Sequence, residues 1–301
     1  MPKPKKDNLS KLSSLERGIQ VLSNIGLKQR AAALVAAVSM LTAGLVAVPQ
    51  EAKAATVTAG SCVVNVDNTS GVSTYDGGTH CYVAFKSTGI TYTWTRPSAL
   101  TSVDFVVVGG GGGGASRHAG GGGAGGLITE QNVALGTSTN TLTISVGSGG
   151  AAPGAQGAGA GAEGSNGGNT QISGTGFTTR LAKGGGGGGF NLTPGTGGSG
   201  GGGGTNFSGG TPDLTQGNWG GAGFNSGVSW YAGGGGGGAG GNGGGATGTS
   251  QTTAGYGGPG RGVEWFSLNA QSSLNAGVGY NGFVYFAGGG GGSVSAVGTG
   301  G

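Results

Sequence analysis

The chain has 301 residues, of which 82 are glycine, 8% are charged and 7% are aromatic. Soluble domains average about 7% glycine and about 25% charged residues, which separates this chain from ordinary enzyme domains. The formal charge of +4 sits in the first 54 residues, where eight Lys/Arg face three acids. Residues 55–301 hold six bases and seven acids, one negative charge in excess, so a basic surface for nucleic acid or anionic membrane is excluded. Those residues hold 79 glycines, close to one in three, but in blocks and with only five prolines. Collagen needs a strict Gly-X-Y period and abundant proline, so it is excluded too.

Residues 1–54 read as a secretory signal peptide with a long basic leader. Lysines and arginines precede the apolar run 31–48 (AAALVAAVSMLTAGLVAV), then Pro49 and the small-residue site Ala52-Lys53-Ala54. Eighteen residues is long for a signal core and barely enough to span a bilayer, so an uncleaved N-terminal anchor is the competing reading. Gln29-Arg30 is not a twin-arginine pair, which favours general secretion. The expected protein is secreted and extracellular, either free or attached to the cell wall or surface, with no membrane span after cleavage. Cys62 and Cys81 are the only cysteines, and an even pair in an exported chain predicts one disulfide. Closing that loop contributes about 3 kcal/mol in the chain-entropy account.

From residue 61 to 108 the chain reads as β protein. Short runs rich in Val, Phe, Tyr and Thr at 62–66, 81–85, 91–94 and 103–108 alternate with turn residues. Asp76-Gly77-Gly78 leading back to Cys81 suits a hairpin, with the disulfide stapling neighbouring strands. The apolar end of 103–108 predicts a central strand. Beyond it, short strands run straight into glycine: 103–108 into 109–114, 141–146 into 147–150, 180–183 into 184–189, 230–232 into 233–238 and 283–287 into 288–292. Residues 127–135 and 142–146 around 136–140 predict a further hairpin.

Six consecutive glycines read most simply as flexible linker. The number of such tracts, their strand lead-ins and the scarcity of charge favour extended threefold helices of the polyproline II type, packed side by side. Ordering some eighty glycine backbones costs on the order of 100 kcal/mol. Inter-rod hydrogen bonds worth about 1 kcal/mol each therefore need help from strands and aromatic inserts.

Thr93-Trp94-Thr95-Arg96-Pro97, Thr101-Ser102-Val103, the strand-to-glycine run 104–114 and Thr143-Ile144-Ser145-Val146-Gly147-Ser148-Gly149-Gly150 resemble the glycine-rich domain of bacterial cell-surface proteins and of phage tail-tip adhesins. Ala182-Lys183 followed by 184–189 matches that family's next polyglycine rod, and the resemblance covers roughly residues 60–292. It implies polyglycine II bundles beside a β-sandwich, a structural or adhesive role, and receptor recognition by loops between rods. The Cys62…Cys81 preface is similar to that of secreted Gram-positive surface proteins. The segment 237–244 is similar to mycobacterial glycine-rich surface repeats, whose N-terminal domain is missing here. The end, Val297-Gly298-Thr299-Gly300-Gly301, falls inside the glycine pattern with no sorting motif, which leaves open that the chain is a fragment.

The expected fold is all-β: residues 55–108 as a disulfide-linked, short-stranded β-sandwich-like region, and 109–301 as a packed polyglycine II bundle with hairpins and aromatic inserts. No catalytic constellation, cofactor or metal site is expected. Gly-x-Gly-x-x-Gly recurs by chance, with no amphipathic helix after residue 54 to make a dinucleotide site. Gly197-Gly198-Ser199-Gly200-Gly201 matches a nucleophile elbow only formally. His80 and His118 lack carboxylates at ligand spacing and read as solvated or structural. Calcium-binding nonapeptides, arginine-rich RNA binding and a regular threonine array for ice binding all lack their residues.

Candidate binding residues are the aromatics of two inserts: Phe207, Trp219, Phe224, Trp230 and Tyr231 in 205–232, and Trp265, Phe266, Tyr280, Phe283 and Tyr285 in 256–286. Their simplest role is to hold the rods together. The alternative is that Trp219, Trp230, Tyr231 and Trp265 bind a ligand, with Trp219 and Trp265 at loop tips stacking on glycans or proteins of a cell envelope or host surface. Asn218, Asn225 and Asn269 would then supply hydrogen bonds.

Overall fold

A computed structural model describes residues 55–59, 62–154, 161–227, 230–248 and 252–296. The expected signal peptide lies outside them. The described residues form one compact unit.

The first ten strands are β1 (Ala55–Ala59), β2 (Cys62–Val66), β3 (Val72–Asp76), β4 (Cys81–Phe85), β5 (Thr91–Thr95), β6 (Ser102–Val108), β7 (Leu127–Ala134), β8 (Thr141–Ser145), β9 (Thr170–Gly174) and β10 (Phe177–Ala182). Six of them form one antiparallel sheet in the order β1-β2-β5-β8-β9-β10. This sheet takes strands from both sides of residue 108. Alternation sets its inner face: Cys62, Val64 and Val66 point inward on β2, Leu142 and Ile144 on β8. The two-stranded sheets β3–β4 and β6–β7 cover that face. Val72, Val83 and Phe85 pack on the β2 cluster; Val103, Phe105 and Val133 pack on Leu135, Leu142 and Phe177. Trp94 belongs to both clusters and joins them. Tyr92, fully buried, donates its hydroxyl to the Ser70 carbonyl at 2.6 Å.

Three details differ from the sequence reading. The Cys62–Cys81 disulfide forms, but it joins β2 of the large sheet to β4 of the covering hairpin rather than two neighbours in one sheet. Strand β6 is not central; among the described strands it pairs only with β7, and its apolar side chains serve the core of the large sheet. Nor do β7 and β8 make a hairpin: β7 turns back to β6 while β8 inserts between β5 and β9. Apolar density reports burial, not the number of hydrogen-bonded neighbours. Within β6–β7, Asn132 takes φ 54° at a register shift and donates its N–H to Asp104.

The later strands are β11 (Phe224–Asn225), β12 (Trp230–Ala232), β13 (Thr247–Gly248), β14 (Thr252–Thr253), β15 (Arg261–Val263), β16 (Val278–Tyr280), β17 (Phe283–Phe286) and β18 (Val294–Ala296). They form the small sheets β11-β12-β18, β13-β14 and β15-β17-β16. Between β15 and β16 lies a helix the sequence reading did not expect, α1 (Leu268–Leu274). Its seven residues are too few to show a helical period, but its ends are marked. Ser267 accepts the Ala270 N–H, and Asn275 closes the helix at φ 48°. Lys86 of the first half donates to the Leu274 carbonyl at 2.9 Å.

The described glycine segments between these strands are hydrogen-bonded to one another. Their donors repeat every third residue. Gly109, Gly112 and Ala115 donate to Gly126, Gly123 and Gly120, whereas Gly110, Gly113 and Ser116 donate to Gly168, Ser165 and Ala162. Gly185 and Gly188 in turn donate to Gly110 and Gly113. Segment 120–126 is the centre of this layer and is buried throughout. Glycine is required there for contact rather than for φ. A Cβ on Gly112 would lie 2.1 Å from the Gly186 oxygen, and one on Gly236 2.1 Å from the Gly122 oxygen. No real Cβ tolerates such an approach to backbone.

Candidate functional site: an exposed aromatic face

The three-stranded sheet β15-β17-β16 has one buried and one open face. Val263 and Val284 are buried, and α1, with Ala270 and Leu274 buried, packs against β16 and β17. On the opposite face the register sets Val278 against Tyr285 and Tyr280 against Phe283. Directly opposed residues share a face. Val278 and Tyr280 are 67% and 65% exposed, and Phe283 is 39% exposed. The Tyr280 and Tyr285 rings meet edge to face at 6.3 Å. Gly262 stands opposite Tyr285 on β15, and even a Cβ there would be 3.5 Å from that ring. The hairpin turns on Asn281-Gly282, both at positive φ, the strongest short-range hairpin signal a sequence carries. Reading that signal would have placed Tyr280 and Phe283 opposite each other.

The residues singled out from sequence divide differently. Trp219 is exposed at 44%. It borders segment 242–245, with its carbonyl accepting from Gly243 and its N–H donating to Asn242. Tyr256, 71% exposed, borders the same segment, its carbonyl accepting from Gly244 and its ring lying over that glycine. Trp265 is not at an open tip. It is half-buried and packs 6.1 Å from Phe266, which lies 5.6 Å from Tyr82 and 5.4 Å from Phe286. This cluster fastens the second insert to the disulfide hairpin. Tyr231 stacks on His118 at 4.6 Å, and His118 also meets Phe190 at 5.3 Å. The backbone of Trp230 pairs with Ala296; its side chain lies outside the described residues. Asn218 donates to the Gly238 carbonyl and Asn225 accepts from Gly227, so both serve the fold. Asn269 is exposed.

Charged groups lie elsewhere. His118 is 8% exposed, its Nδ1 has no partner among the described residues, and burial, then Arg117, lowers its pKa from the usual value. It is therefore structural rather than solvated. Asp213 is pulled down to about 2 by the Thr215 hydroxyl and by Lys183 at 2.9 Å. Glu130 is lowered by its hydrogen bond to Arg180, whose guanidinium lies 5.4 Å from the Phe177 ring centre. Two open polar clefts, of about 420 and 410 Å³, lie beside these pairs. The larger is lined by Asn166, Asn169, Lys183 and Asp213, whose polar atoms already bind the chain. Ser199, in the formal nucleophile-elbow pattern, is fully buried between glycine segments. No cluster of three metal-ligating side chains occurs among the described residues.

An all-β protein in which Cβ-free segments are hydrogen-bonded into a layer beside a strand core is a glycine-rich domain protein. The glycine-rich domain family matches residues 86–301, and the chain belongs to that family. No curated protein and no solved structure matches it.

Proposed function

We propose that the protein is a secreted or surface-attached, non-enzymatic structural and adhesive module of a bacterial surface, its glycine segments packed as polyglycine II helices. The three-residue repeat of inter-segment hydrogen bonds carries the reading. A helix with three residues per turn sends successive N–H groups in three directions, and only such a segment donates to one neighbour at i, i+3 and i+6. A layer of this kind is stiff and nearly uncharged, which suits a spacer or scaffold outside the cell. Residues 1–54 act as its export signal, and the disulfide suits that compartment.

The second reading, a glycan- or receptor-binding module, is favoured by the open face of Val278, Tyr280, Phe283 and Tyr285. Aromatic faces offer large contact area at low entropy cost. Cell-envelope or host-surface glycans or proteins are its partners. The test is adhesion of the exported chain to cells and cell-wall glycan, with and without Tyr280→Ser and Phe283→Ser. Adhesion lost in the variants makes this face the binding site. Unchanged adhesion assigns it to the rods, and no adhesion at all leaves only the scaffold role.

A further inference from the structure

Five segments surround the central segment 120–126, whereas a close-packed cylinder has six neighbours. Its N–H groups donate to 183–189 and to 234–237, and its carbonyls accept from 109–115, 199–202 and 290–293. These five are mutually consistent. Segment 183–189 bonds both 109–115 and 199–202, and segment 234–237 bonds both 199–202 and 290–293. The sixth side therefore lies between 109–115 and 290–293, and no described segment fills it.

Three observations mark this trough as built for an occupant. First, Gly122 and Gly125 are buried residues, yet their N–H groups have no partner among the described residues. The third residue of that period, Ala119, donates instead to the Ser293 hydroxyl. A buried unpaired N–H is costly and rare. Second, the walls are glycine where the fold does not require it. A Cβ on Gly111 would be 3.8 Å from the Gly123 oxygen, and one on Gly114 3.9 Å from the Gly122 nitrogen, both ordinary contacts. On the other wall, a Cβ on Gly290 would lie 3.4 Å from the same nitrogen. All three vectors converge on the floor at Gly120–Gly123, and neither Gly111 nor Gly114 has left-handed φ. Third, Gly111 and Gly290 are exposed, so the trough opens to solvent.

We propose that this trough receives an extended glycine-rich segment from a second copy of the chain, whose carbonyls take up the Gly122 and Gly125 N–H groups. Only a segment without side chains reaches the layer's spacing from both walls. Another copy, with one residue in three glycine and a net charge near −1 over residues 55–301, supplies such a segment without repulsion. The trough thus acts as an unpaired edge strand does, as a template for addition from another chain. This inference rests on the threefold-helix reading above.

The test pairs sedimentation with amide exchange on the full chain, native and as the double variant Gly111→Ala/Gly114→Ala. The native chain is expected to self-associate, with exchange in 120–126 slowing as concentration rises. The double variant is expected to keep its melting temperature within a few degrees, because both methyls have room, and to associate at least tenfold more weakly. Association equally strong in the variant overturns the proposal, as does a native chain that stays monomeric. Protection of 120–126 independent of concentration also overturns it, because the trough is then filled from within. Segment 184–189 in dilute native protein separates the two readings: random-coil exchange there removes the polyglycine helices themselves, whereas slow exchange without association removes only the docking.

Discussion

The strand core and the glycine layer are stabilised by opposite means. In the first, Val66, Trp94, Leu142 and Phe177 exclude water by their bulk, and removing atoms does the damage. In the second, close approach of backbones depends on what is missing, and adding atoms does the damage. The sheet positions most sensitive to mutation are therefore the large residues, and the layer positions most sensitive are the smallest.

The largest expected effect is a single methyl in the wrong place. Gly186→Ala sets a Cβ 2.0 Å from the Gly195 oxygen, so both segments must separate. We expect a loss above the 1–3 kcal/mol usual for overpacking, about 4 kcal/mol or more, read as insoluble protein or collapse of the melting temperature. A normal melt for this variant would break the contrast. Leu142→Ala in the sheet should cost about 2–4 kcal/mol by cavity formation, measured by denaturant unfolding. Reducing the disulfide should remove about 3 kcal/mol on the chain-entropy account.

Two acid-side effects sharpen the comparison at smaller scale. Asp213, held at about 2 from a usual 3.8, stabilises the fold above pH 4 and loses that contribution as pH falls to 2. Its partner Lys183 is 51% exposed at the side chain, so solvent screening leaves on the order of 1 kcal/mol. Asp213→Asn should flatten the stability profile over that interval. His118 is a base whose folded pKa is lowered, so its contribution is complete above pH 6.5 and declines below it, as the unfolded chain takes up the proton first. His118→Gln should abolish that decline while lowering stability at neutral pH through the lost stacking on Tyr231. An acid profile identical to the native one would remove His118 from this account.

Strand positions were legible where β-branched and aromatic residues clustered between turns, as at 62–66 and 81–85. β3 was legible only through its turn: Asp76-Gly77-Gly78 leads back to Cys81 as the β3–β4 hairpin, whereas Ser73, Thr74 and Asp76 dilute the strand's own apolar signal. Pairing was less legible than position, because neighbours in sequence, such as β7 and β8, separate when another strand fits the alternation better. Exposure of the candidate rings was legible only in part: Trp219 is exposed, whereas Trp265 packs on Phe266 and is half-buried there. The smaller rings of Tyr280 and Phe283 remain outside, on the turn side of a sheet whose other face holds the helix. Which side of a strand faces water depends on a partner that composition does not name.

The covalent link between Cys62 and Cys81 also changes how the protein answers a pull. Load entering through β1 and β2 passes across the sulfur bridge into the covering hairpin, so the 19-residue separation between the cysteines cannot pay out when the chain is stretched. At about 3.5 Å per extended residue that hidden length is roughly 60 Å. A single molecule held by its ends should therefore unravel short by that amount, and recover it when a reductant is added.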